Sequence, residues 1–136
     1  MYKFGRTSKE RLATIHPDLQ KVLYRVLNHM DIGIIEGVRS LETQKKYVAD
    51  GKSKTLNSKH LKQDDGYSHA VDVGVYVNGK LTWDPRYYYF LGGIVKTICD
   101  EEHMPDLRFG MDWDGDLDFS DQTFDDLVHF ELASRP

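Results

Sequence analysis

Eight residues, Ala70 to Val77 (AVDVGVYV), run apolar on both faces and are followed at once by Asn78-Gly79. Such a run belongs inside a sheet, with neighbours on both edges. Asn-Gly is a strong hairpin signal, because both residues tolerate positive φ. The chain is therefore expected to turn from this strand directly into a partner over Lys80 to Trp83. One residue breaks the pattern. Asp72 sits inside the run, and burying a lone carboxylate costs several kcal/mol unless a cation or hydrogen-bond donors meet it. A positive group is expected beside it.

Helical patterns surround that strand. From Asp18, the residues Leu19, Val22, Leu23, Val26, Leu27 and Met30 recur at three- and four-residue spacing, the stripe of an amphipathic helix. Before it, Thr7 with Glu10 fits a capping box and predicts a short helix from Ser8 to about Ile15, after which Pro17 restarts the chain. Ile32 to Val38 is rich in β-branched residues and predicts a strand, with Arg39 at its end. A helix from about Leu41 to Asp50 follows, stopped by Gly51. Residues 52 to 68 are polar, turn at Asp64-Asp65-Gly66, and are expected to form an extended loop. Asp84 and Pro85 supply the N-cap and first residue of a long helix ending before Pro105, with core stripe Phe90, Leu91, Ile94, Val95 and Ile98. Short strands are expected over Arg108 to Gly110 and Val128 to Leu132. Helices around a small, mainly antiparallel sheet make the class α+β.

A chain of 136 residues can bury one real core and is short for two, so residues 1–136 read as one domain. Lys and Arg number 18 against 22 Asp and Glu, which leaves no basic face for nucleic acid. Cys99 has no cysteine partner and falls among helix apolar residues, as a small buried hydrophobe does. The N-terminal MYKFGRTSKE lacks an apolar signal region, and no run approaches the roughly 18 apolar residues of a membrane span. Synthesis is expected to end in a cytoplasm without membrane insertion. That expectation leaves open where the substrate lies.

Three residues carry chemistry together. His129 lies in the short apolar strand near the C-terminus, and His60 lies on the loop that leads to Asp72. Two imidazoles and a carboxylate from separate segments would give zinc three protein ligands and leave a fourth position for water, as in catalytic sites. Asp126, three residues before His129, could then act as general base on that water. A satisfied core histidine and a strand-end aspartate are the other reading, and the spacing leaves both open. A second cluster is acidic: Asp112, Asp114, Asp116 and Asp118 alternate with other residues and Asp121 follows. So many like charges repel unless a hard cation gathers them, and calcium is the natural candidate. The run begins like an EF-hand loop but has Leu117 at the glycine position and Thr123 at the glutamate position. A solvated acidic loop is the alternative.

Ser58-Lys59-His60, then Ala70-Val71-Asp72, then Asp126-Leu127-Val128-His129 resembles the signature S-x-H, G-x-A-x-D, D/E-x-x-H of a zinc peptidase family. That family comprises D-Ala-D-Ala carboxypeptidases and L-alanyl-D-glutamate endopeptidases, and its fold is hedgehog-like. Glu36-Gly37-Val38-Arg39-Ser40, with Gln44, is similar to the family's arginine-bearing segment. The likeness runs from near Phe4 to Leu132 and is nearest to the short bacteriophage endolysins. It implies zinc on His60, Asp72 and His129, with Asp126 positioning and deprotonating water. It further implies that Arg39 stabilises the developing oxyanion and that Ser58 hydrogen-bonds a substrate group. The implied substrate is the stem peptide of bacterial peptidoglycan, and the implied role is host lysis by a phage. Such an enzyme is expected to be a monomer that waits in the host cytoplasm for a separate protein to permeabilise the membrane. A D-Ala-D-Ala carboxypeptidase and a non-catalytic metal-binding wall-peptide module are the rival readings.

One departure from the signature matters. The family places its first histidine seven residues before the aspartate, whereas His60 precedes Asp72 by twelve, as if five residues were inserted within LKQDDGYS. His69 thereby becomes a rival ligand, although residues 69 and 72 of a regular strand point to opposite faces. His16, His29 and His103 match no part of the signature and read as surface or cap histidines.

Overall fold

The structure is a computed structural model that describes residues 1–104, 107–122 and 125–133. Among the described residues four helices, α1 (Arg6–Leu12), α2 (Pro17–Val26), α3 (Leu41–Ala49) and α4 (Pro85–Glu101), accompany five strands. The strands are β1 (Ile32–Glu36), β2 (Ala70–Val77), β3 (Lys80–Thr82), β4 (Leu107–Phe109) and β5 (His129–Leu132). The pairings between these strands are antiparallel, in the order β1-β2-β5-β4, with β3 added to β2. The fold is α+β, as the patterning predicts.

β2 is the internal strand: β1 pairs along its middle, β5 with its first residues and β3 with its last. Asn78 and Gly79 take φ of 51° and 78°, the two positive values of a hairpin turn whose twist matches its strands. Val71, Val73 and Val75 of β2, with Ile32, Ile34, Phe130 and Leu132, form one core with the apolar stripes of α2 and α4. α4 starts on Asp84, whose carboxylate accepts from Arg86 N at 3.0 Å, and α3 starts on Ser40, which accepts from Thr43 N at 3.1 Å. Cys99 is buried in α4, as its neighbours require.

Several boundaries differ from the sequence reading. α1 begins at Arg6 on Gly5 without a side-chain cap, so Thr7 lies inside the helix and no capping box forms. Ser8 Oγ instead accepts from Ile34 N at 3.0 Å, tying α1 to β1. In α4 the buried positions are Tyr88, Leu91, Gly92, Val95, Ile98 and Cys99, while Phe90 is 64% exposed. Two residues rotate a helix by about 200°, so Tyr88 and Phe90 cannot share a face. Tyr88 holds the core side because its hydroxyl donates to the Thr82 carbonyl at 2.7 Å and accepts from Val75 N at 3.2 Å. β4 lies one residue earlier than expected and β5 starts at His129 instead of Val128. Pro105, expected to stop α4, and Thr123, at the EF-hand glutamate position, lie outside the described residues.

Candidate active site

Sheet register aligns the ionisable residues. Asp72 on β2 is the Cα partner of His129 on β5 and of Glu36 on β1. Cross-strand partners present their side chains to the same face, so the three carry their charge at one level of the sheet. His60 reaches this row from the loop before β2. Its N–H bonds Ser58 Oγ at 3.1 Å, and its carbonyl accepts from Arg39 N at 2.8 Å, which stitches the loop to the end of β1.

Three donor atoms converge there. His60 Nε2 lies 3.1 Å from Asp72 Oδ1 and 3.2 Å from His129 Nδ1, and His129 Nδ1 lies 3.1 Å from Asp72 Oδ1. The outer nitrogens decide the protonation. His60 Nδ1 is 2.9 Å from the Gly37 carbonyl and His129 Nε2 is 2.8 Å from Glu131 Oε1. A carbonyl or carboxylate oxygen only accepts, so each outer nitrogen carries the proton and each inner one presents a lone pair. Two lone pairs and a carboxylate oxygen at contact distance repel unless a cation joins them. Tetrahedral zinc, with bonds of about 2.0–2.1 Å, sets ligand atoms roughly 3.3 Å apart, close to the spacing seen. The donor set therefore fits a divalent metal.

Without one, a proton takes the same place. Burial alone would depress His129, but hydrogen bonds to Asp72 and Glu131, with the charges of Asp72 and Asp126, push its pKa up to about 9. Burial would raise Asp72, yet hydrogen bonds to His129 and His60 hold it well below the ordinary carboxylate range. Both shifts express one demand for positive charge at the centre.

The other signature residues surround the centre. Asp126 Oδ2 is 3.9 Å from His129 Nδ1. Burial and the charge of Asp72 raise its pKa, against the opposing pull of His129, His60 and Arg39. Arg39 is nearly buried, with one guanidinium nitrogen 3.8 Å from Asp72 Oδ2. Glu36 accepts from it, Gln44 Oε1 accepts at 2.7 Å, and the Tyr47 ring lies 4.6 Å beneath. Arg39, Asp126 and the three central residues, with Ser58 and Trp113, line one open cleft of about 810 Å³. That volume is within the range of ligand-binding clefts.

Sequence reasoning missed two carboxylates here. Glu131 is buried and holds the tautomer of His129, while Glu36 locks Arg39. Their signal was faint: Glu131 stands two residues from His129, hence on the same strand face. His69, the rival ligand, points elsewhere, with Nε2 2.7 Å from Asp65 Oδ2. His16 is more than the surface or cap histidine expected. It does cap α2, through Nδ1 and Asp18 N, but its ring also packs against His69.

Of the acidic run, Asp112, Asp114 and Asp116 bring carboxylate oxygens within 4.8 Å of one another. Asp112 is buried, and among the described residues its Oδ1 has no hydrogen-bond partner while Oδ2 accepts from Leu117 N at 2.8 Å. Asp118 turns away to Ser120, at 2.9 Å from its N–H. Asp121 pairs with Asp116 and has its pKa pushed up to about 6 by that hydrogen bond, by desolvation and by the neighbouring charges.

Comparison with known proteins agrees with this geometry. Residues 1–133 match the family model for phage L-alanyl-D-glutamate peptidase. The chain is 33% identical over 141 residues to the L-alanyl-D-glutamate peptidase of Escherichia phage T5, covering 97% of this chain and 98% of that protein. It superposes on the crystal structure of the Serratia marcescens L-Ala D-Glu endopeptidase ChiX with a TM-score of 0.79 at 30% identity, over 98% of this chain and 90% of that one. With its signature residues gathered in one cleft and its length matched nearly throughout, the chain belongs to the phage L-alanyl-D-glutamate peptidase family.

Proposed function

We propose that the protein hydrolyses the L-alanyl-D-glutamate bond of the peptidoglycan stem peptide, with zinc held by His60, Asp72 and His129. The observation that carries this reading is the pair of imidazoles whose outer protons are taken by Gly37 and Glu131, leaving two lone pairs beside a buried carboxylate. Zinc bound there would supply a Lewis acid that makes water acidic enough to attack at neutral pH. Asp126 takes the proton of the attacking water, a role helped by its raised pKa. It then returns that proton to the D-glutamate amine as the carbon–nitrogen bond breaks. Arg39, fixed by Glu36, Gln44 and Tyr47, holds a positive charge where the oxyanion develops and loses little order in doing so. Ser58, at the mouth of the His60 turn, binds a substrate group in the cleft.

In this reading the enzyme is a monomeric, single-domain endolysin. It accumulates in the host cytoplasm and meets the wall after a separate protein permeabilises the membrane. Among the described residues no helix is long and apolar enough to cross a membrane. Mass analysis of peptides released from purified murein, with and without a zinc chelator, tests the activity. New L-alanine and D-glutamate termini that disappear with chelator are expected. Release of D-alanine alone would make it a carboxypeptidase, and binding without release would make it a wall-peptide module.

Calcium on the acidic loop is the regulatory part of the proposal. It is supported by the buried Asp112 Oδ1, which has no hydrogen-bond partner among the described residues and lies beside Asp114 and Asp116. Asp118 and Asp121 complete the set as ordering proceeds. The loop precedes Asp126, so a cation that orders it also fixes the base. Adding calcium to zinc-loaded, calcium-stripped protein should raise murein hydrolysis. Full activity in the stripped protein, or an unchanged response in an Asp114→Ala/Asp116→Ala double variant, refutes it.

A further inference from the structure

We infer that His16, Asp65 and His69 form a second binding site for a zinc-class divalent metal ion, separate from the cleft. The three offer one ligand atom each within 4.8 Å, and none of them lines the cleft. They come from three segments: the α1–α2 connection, the turn at Asp64-Asp65-Gly66, and the residue before β2. Asp65 Oδ1 is committed to its own turn, accepting from Tyr67 N at 3.1 Å. Oδ2 is thereby aimed at both rings, 2.7 Å from His69 Nε2 and 3.8 Å from His16 Nε2. These separations bracket the roughly 3.3 Å expected between ligands of a tetrahedral zinc. The rings stand nearly perpendicular, at 87° with centroids 5.2 Å apart, so their edges meet the carboxylate from different directions.

The backbone is already in place for such a site. Ser68 N bonds the Thr14 carbonyl and His16 N bonds the Ser68 carbonyl, both at 3.0 Å, and His69 N bonds the Lys59 carbonyl at 2.8 Å. Binding needs only small side-chain rotations and a change of proton position. The His69 proton, on Nε2 while that atom donates to Asp65 Oδ2, moves to Nδ1 and frees the Nε2 lone pair for the metal. His16 Nδ1 accepts from Asp18 N, so its neutral ring carries the proton on Nε2; metal binding at Nε2 moves that proton to Nδ1, which gives up the Asp18 N–H and faces Asp18 Oδ2, now 3.9 Å away, as its carboxylate partner. Two imidazoles and one carboxylate favour zinc, nickel or copper over calcium or magnesium. Asp65 belongs to the stretch LKQDDGYS that lengthens the His60 to Asp72 spacing. The ion would clip this stretch to the α1–α2 connection, next to the turn that carries His60.

The test uses the full chain with its cleft metal in place, dialysed against micromolar zinc and measured by elemental analysis. Wild type is expected to hold about two zinc ions per chain, and Asp65→Asn and His69→Gln about one. Saturation of the wild type at one, or of both variants at two, overturns the inference. Asp65 is on an exposed turn, so its variant keeps the fold even where His69→Gln disturbs it. The cleft reading is tested apart by His129→Ala: one remaining zinc that vanishes in His129→Ala/Asp65→Asn supports the second site, and a remaining zinc untouched by Asp65→Asn overturns it. Murein hydrolysis by Asp65→Asn should stay within about twofold of wild type, since the residue is outside the cleft.

Discussion

His129 is held from both sides, with Nδ1 toward Asp72 and Nε2 donating to Glu131. Removing the outer acceptor frees the ring and its tautomer. Glu131→Ala should weaken metal affinity by roughly 10–100-fold, and Glu131→Gln, which keeps an accepting oxygen, should recover much of it. Competition with a chromophoric chelator reads both, and equal affinities for wild type and Glu131→Ala would refute the tautomer argument. The Asp126 carboxylate lies 3.9 Å from His129 Nδ1 and lines the cleft. Asp126→Asn should keep metal and melting behaviour yet lose about 10²–10⁴-fold in turnover. Arg39→Ala should lose on the order of 10²-fold or more, mostly in kcat. Near-normal turnover in either folded variant removes that residue from the mechanism. Asp126 and Arg39 were legible because their types recur in the family signature; Glu131 was not, since a glutamate in a short strand usually faces water and only pairing with β2 and β4 buries it.

At the scale of elements, the segment between β4 and β5 sets the base. Asp126 N bonds the Gly110 carbonyl at 2.9 Å, and His129 N bonds the Asp126 carbonyl at 3.1 Å. A Cβ on Gly110 would lie 2.0 Å from the Asp126 carbonyl oxygen, so no side chain fits without moving that backbone. Gly110→Ala should therefore destabilise the protein by about 1–3 kcal/mol. Activity should fall by on the order of 10²-fold, as for a base displaced by ~1 Å. Wild-type activity in this variant would show that Asp126 need not be held. The acidic loop carries its own pH dependence. Above about 6, Asp121 is ionised and the carboxylates repel, which favours a cation; below it, a proton shared with Asp116 relieves the repulsion. Apparent calcium affinity should fall as pH drops through that value, and calcium titrations on either side of it would reveal an invariant affinity if the reading is wrong. The long elements were readable from periodicity, whereas Phe90 was misplaced because a ring two residues from Tyr88 satisfies a loose apolar stripe equally well on paper.

For the whole molecule, a metal held as proposed would join β2, β5 and the His60 loop, three parts of the chain far apart in sequence. Loss of a ligand present at about 100 times its dissociation constant costs about 2.7 kcal/mol. In a chain of this size that lowers the melting midpoint by roughly 5–10 °C. Calorimetry with and without chelator should show the drop, and an unchanged midpoint would mean that the cleft metal is not part of the folded state. The protein should stay folded, because protonated His129 replaces part of the lost charge.

By itself the sequence determined the class, the central strand with its hairpin and the amphipathic helices, and its resemblance to a family signature pointed to the three residues that meet in the cleft. Each of these depends on local preference or on residue types in fixed order, which a linear string carries. Tertiary structure alone decided the pairing of Asp72 with both His129 and Glu36, the role of Glu131, and the separation of His69 from His60. It also placed His16 beside Asp65 and His69, across a gap of about fifty residues in the chain. The physical reason is common to all of them. Which side chains share a face across strands follows from register, and which loops meet follows from backbone hydrogen bonds such as Ser68 N to the Thr14 carbonyl, neither of which has a local sequence signal.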